Sequence, residues 1–138
     1  MENFKKNLLQ GKYEMAEEIC ETMDDNNIRD MIMMLAYDTE SICVYGFIQY
    51  MINKTKKISW IELAIDIMLN PLCFIEGAYS VALFHARELL QIDKSVNNLE
   101  RIIFFYNIPE KLVGEEEVKI IAKEILALEP DNEVALGV

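Results

Sequence analysis

A chain of 138 residues, 52% of them hydrophobic, has enough apolar surface for a sizeable core and reads as one domain over residues 1–138. It carries 13 basic against 24 acidic side chains, a net charge of −11, and both halves are acidic: 7 against 12 in residues 1–70 and 6 against 12 in 71–138. Contacts to phosphate need Lys and Arg, so this balance speaks against free nucleic acid as a ligand, whereas a basic partner would be steered inward.

In chain order, residues 2–10 read as a short helix with Phe4, Leu8 and Leu9 on its apolar face, broken at Gly11. Residues 12–23 form the next, burying Tyr13, Ala16, Ile19, Cys20 and Met23. Asp24 to Asn27 is a turn rich in N-cap residues. The third helix covers residues 28–37. Its run Met31 to Leu35 is apolar nearly all round, which puts it at the centre or against a partner. Asp38-Thr39 is read as the cap of a fourth helix reaching about residue 53. There Gly46 permits close helix approach, at a propensity cost of about 1 kcal/mol against Ala. Lys54, Lys56 and Lys57 at its end suit the negative pole of the helix dipole.

Ser59 with Glu62 reads as a capping box opening a fifth helix that Pro71 closes. Residues 72–91 carry one long apolar pattern, and Asn97 with Glu100 makes a second capping box for a helix to residue 106. Residues 107–114 are the longest loop. Gly114 then opens the last full helix. Its first turn holds Glu115, Glu116 and Glu117, where the dipole favours acids, and its apolar face runs Val118, Ile121, Ala122, Ile125, Leu128. Pro130 ends it, and Asp131-Asn132 prepare a stub at Glu133 to Leu136. The expected fold is all-α: about eight helices in four antiparallel hairpins, plus the stub.

Ala122-Lys123-Glu124-Ile125-Leu126 matches Ala86-Arg87-Glu88-Leu89-Leu90, 36 residues earlier, and Ala16-Glu17-Glu18-Ile19-Cys20, a further 70 residues earlier. Two periods of about 35 place a degenerate copy near Met51, and this spacing marks arrays of helical hairpins. Gly11-Lys12-Tyr13-Glu14-Met15-Ala16 resembles the G-x-Y-x-x-A of a tetratricopeptide repeat. Ala122 to Asn132 resembles the end of such a repeat and its connecting turn. The resemblance implies a right-handed α-solenoid with an extended concave binding surface, and implies little about function.

Catalytic and cofactor chemistry finds no footing in the sequence. The lone histidine, His85, has no second His for a metal site and reads as structural. Ser80 lacks a nucleophile-elbow motif, and the five glycines form no phosphate loop. Cys20, Cys43 and Cys73, widely spaced in apolar contexts, are expected as buried thiols. The longest apolar run, Met31 to Tyr37, is far short of a membrane span of roughly 18 residues, and Glu2-Asn3 begins no secretory leader. Expected, then, are a cytoplasmic location and no enzyme activity, metal or cofactor.

Two helical stripes offer a binding surface. Asn26, Asp30 and Met34 share one face, and Glu62, Asp66 and Asn70 share another 36 residues on. Stacked side by side they would form an acidic groove for a basic protein, with Asp38 extending it and Tyr37 and Trp60 as aromatic anchors. The same pattern also describes the solvated faces of two amphipathic helices, with Glu62 occupied as a cap. In size, acidity and lack of chemistry the chain is similar to small acidic antidotes of bacterial toxins. That likeness implies an immunity protein that occludes the basic active site of a nuclease toxin. The second expectation is a repeat-type adaptor or regulator that captures a peptide or partner protein.

Overall fold

The structure, a computed structural model, describes residues 1–138, all helix and connection with no strand. It falls into two compact units, Met1–Ala78 and Tyr79–Val138.

The first unit holds α1 (Glu2–Leu9), α2 (Tyr13–Cys20), α3 (Asp25–Thr39), α4 (Ile42–Thr55) and α5 (Ile58–Leu69). Gly11 ends α1 in the left-handed region (φ 75°). Its N–H reaches the Leu8 carbonyl and the Lys12 N–H the Asn7 carbonyl, a turn that only a residue without Cβ makes at no steric cost. Asp24 caps α3 by accepting from the Asn27 N–H at 2.8 Å, and Ser41 caps α4 by accepting from Cys43 N–H at 3.1 Å. α1 packs on α2 and α4, while α4 packs on α5, and α3 lies against both α4 and α5.

Phe47 of α4 sits at the middle of this unit. Phe4 (α1) meets it edge-on at 5.6 Å, Tyr13 (α2) at 5.7 Å and Trp60 (α5) at 5.8 Å, while Tyr50 stacks at 6.3 Å. Next to it, Gly46 lets Tyr13 lie across the α4 backbone. The Tyr13 hydroxyl donates to the Cys43 carbonyl at 3.0 Å, and a Cβ built on Gly46 would lie on that hydroxyl. A second tie from α2 to α4 joins Glu17 to Tyr50 and Lys54, each donating at 2.8 Å. These two donors, Lys54 first, hold the Glu17 carboxyl below the usual carboxylate range.

The second unit holds α6 (Ala78–Ile92) from Tyr79 on, α7 (Val96–Asn107), α8 (Glu115–Leu128) and α9 (Glu133–Leu136). Leu99, Ile102, Ile103 and Phe105 of α7 and Val118, Ile121, Ala122 and Ile125 of α8 form the core of this pair. Arg87 of α6 reaches Glu117 of α8, and Lys94, in the connection after α6, reaches Glu124. Asn132 starts α9 by accepting from the Ala135 N–H and donates back to Glu100 of α7.

Several local expectations need correction. Asp38 and Thr39 belong to α3: Thr39 bonds back to the Leu35 carbonyl and the chain turns only at Glu40 (φ 52°), leaving the cap to Ser41. Ser59 lies inside α5, which begins after Lys57 without a side-chain cap, so the box with Glu62 does not form. Ser95 caps α7 two residues before Asn97, and the buried Asn98 donates to the Asp93 carbonyl. Residues 71–77 are turns, so the pattern over 72–91 is helical only from Ala78. Of the three thiols only Cys20 is buried. Cys43 is half-buried, and Cys73, carried on the turn after Pro71, is exposed.

Two measurements test this packing. Gly46→Ala is expected to lower urea stability by about 1–3 kcal/mol, because the Tyr13 hydroxyl must move. In a Tyr13→Ala background the same change should raise stability by about 1 kcal/mol, the bare helix-propensity gain. Stabilisation in both backgrounds would mean that Tyr13 does not lie over Gly46. Burial pushes the Cys20 thiol up to about 11, with Glu17 adding to the effect. A thiol reagent at about pH 8 should therefore modify Cys73 fastest and Cys20 only on unfolding. Equal rates at the two sites would contradict the structure.

Candidate docking surface on the third helix

α3 sorts its apolar run by face. Met31, Ile32 and Leu35 are buried and Met33 is half-buried, while Met34 is 63% exposed and Tyr37, further along the helix, is 59% exposed. Asp30, one turn before Met34, is exposed, and so is Asp38, one turn after it. Two large apolar side chains thus stand in solvent beside two carboxylates on one helix.

Met34 and Asp38 line a depression of about 300 Å³ with Leu35, with Met1 at the start of the chain, and with Glu2 and Lys5 of α1. Lys5, half-buried, crosses it to the exposed Asp38 with 3.2 Å between Nζ and Oδ2. The lining is mostly apolar, from the two methionines and Leu35, with the carboxylates of Glu2 and Asp38, the Lys5 ammonium and the Met1 amino terminus. Another depression, near the α1–α2 turn, is lined by Gly11, Lys12, Tyr13, Glu14, Met15 and Tyr50. None of the residues that the sequence pattern singled out for partner binding is among them.

The eight residues singled out in the sequence are only partly brought together. α3 and α5 are neighbours, as the stacked stripes require, but their seam is not an open acidic groove. Arg29 reaches across it to Asp66 at 2.7 Å and neutralises that carboxylate. Asn70 ends α5 and donates to the Asp66 carbonyl, and Glu62 is half-buried and engaged with neighbouring groups. Trp60 is a core residue, 6% exposed against Phe47, and cannot serve as a surface anchor. That leaves Asp30, Met34, Tyr37 and Asp38 exposed on α3, with Asn70 exposed by itself at the end of α5, and the surface shifts from the α3–α5 seam toward α1.

Sequence reasoning missed Lys5 and Arg29. Arg29 was visible as the only basic residue between Lys12 and Lys54, inside an acidic stretch. Burial of Trp60 had a signal too, since Ile58 to Leu69 is apolar on nearly every face, and such a helix goes inside. No group of three or more His, Cys, Asp or Glu side chains is arranged to hold a metal ion. His85 is fully buried with Nδ1 3.0 Å from Glu88 Oε1. No helix is long and apolar enough to cross a membrane. Compared with known proteins, the chain matches no family model, no curated protein and no solved structure.

Proposed function

We propose that this chain is a non-catalytic protein-binding module whose α3 face docks a basic protein. Most concretely, it acts as a cytoplasmic immunity protein that neutralises a toxin domain, a nuclease being the best fit to its charge. The observation that carries the reading is the outward face of α3, where Met34 and Tyr37 stand exposed between Asp30 and Asp38. Interface cores favour Met and aromatic side chains, and rim charges set association rate and partner choice. With a net charge of −11 behind it, this face would attract a cationic surface from a distance. A nuclease must present such a surface to hold phosphate.

A second reading is a tetratricopeptide-like adaptor built as a right-handed array. It draws on the recurrence of a small buried residue, Ala16, Ala86 and Ala122, all at most 6% exposed, at the sequence spacing of helical repeats. An adaptor would bind several related segments, an antidote a single partner tightly.

Tagged full-length protein, used as bait in its native cells at low and high salt, separates the two. The antidote reading expects one dominant basic partner that weakens at high salt. Expressed alone, that partner should arrest growth, and co-expression of this chain should restore it. Several unrelated partners would favour the adaptor. No partner, or an acidic one indifferent to salt, would overturn the docking of a basic protein.

A further inference from the structure

The α3 surface, read as a dock for a basic protein, carries a more specific assignment, which rests on that reading. We propose that the depression between α1 and α3 takes an arginine side chain of the partner, which displaces Lys5 from Asp38. The protein already shows a cation at this position: Lys5 Nζ lies 3.2 Å from Asp38 Oδ2, over a floor formed by Leu35. With the two side chains 35% and 63% exposed, the pair is screened by water and weak, so a better donor can replace it.

The chemistry favours arginine over lysine. A partner lysine would offer Asp38 the single charge that Lys5 supplies without any cost of association, and so would gain little. A guanidinium presents a planar fork that can take both carboxylate oxygens, and it gives up its hydration more readily. Its stem would cross Met1 and Met34, which are 59% and 63% exposed. Their unbranched thioethers adapt to such a guest, and an arginine stem covers apolar surface while its head stays polar. Glu2 supplies a second negative charge in the lining. Lys5 is then a built-in competitor: it pairs with Asp38 in the free protein and gives way only to a bidentate ligand.

Amide chemical shifts of the full-length protein, titrated with N-acetyl-arginine methylamide and with its lysine counterpart, test this directly. The arginine probe should shift residues 1–5 and 34–38 saturably, with the lysine probe about threefold weaker or worse. Lys5→Ala should tighten arginine binding by about threefold, the modest scale of an exposed ion pair. Lys6→Ala removes the same charge from the same helix outside the depression and should leave binding unchanged. Asp38→Asn should abolish the saturable response while the spectrum stays dispersed, and Glu40→Gln should not.

Equal responses to the two probes, shifts scattered over the acidic surface, or equal effects of Lys5→Ala and Lys6→Ala would overturn the assignment. If the probes fail in this way but the natural partner still loses affinity with α3 variants, the arginine site falls and the docking surface stands. If the partner ignores α3 variants altogether, the docking surface falls and takes the assignment with it.

Discussion

Aromatic rings from α1, α2 and α5, and a second one from α4 itself, close on Phe47, and the arrangement of the first unit depends on that contact. Edge-on aromatic pairs add about 0.5–1.5 kcal/mol each to the burial of the rings, and here three of them share one ring. The arrangement needs a bare backbone at Gly46, since Tyr13 reaches Phe47 by lying over it. The helix-propensity cost of that glycine is the condition for drawing α2 against α4.

The same contact positions the candidate surface. Phe4 fixes α1 against α4, which sets Met1, Glu2 and Lys5 beside the exposed edge of α3. α3 is fixed in turn by its buried side, Ile28, Met31, Ile32 and Leu35, and by the Arg29–Asp66 pair to α5. A helix so held has no freedom to turn Met34 and Tyr37 inward. Their exposure follows from the fold, and an exposed apolar pair beside carboxylates is what a docking face requires. Rigid helices carry this face, so a partner would meet it largely pre-formed.

What was legible in the sequence was local. Apolar spacing gave the helices, and punctuation gave the ends that one residue type dictates: Gly11 after α1, Gly114 before α8, Asn132 before α9. Caps were misplaced where several competent residues stand close together. Ser41 was chosen over Asp38-Thr39, and Ser95 over Asn97, because core packing sets the register in which each helix starts. The α3 stripe was legible from its spacing, but the partners of its neighbours were not. Lys5 with Asp38 and Arg29 with Asp66 join residues more than thirty positions apart, and no periodicity reports such pairs. Trp60 went astray because an aromatic side chain serves a core and an interface equally well, and the deciding signal lay in its helix, apolar on nearly every face, which carries the ring onto Phe47.

The central claim is that the α3 face, and not bulk acidity, does the binding. Charge-matched variants test it most directly, by calorimetry against the basic protein recovered from native cells. Asp30→Asn with Asp38→Asn removes two charges from the α3 face, and Glu18→Gln with Glu21→Gln removes two from the exposed side of α2 and the turn that ends it. The expected result is a loss of at least about tenfold in affinity for the first pair and little change for the second. Equal small losses for both would contradict the claim, leaving acidity as a general property of the surface and α3 with no special part in recognition.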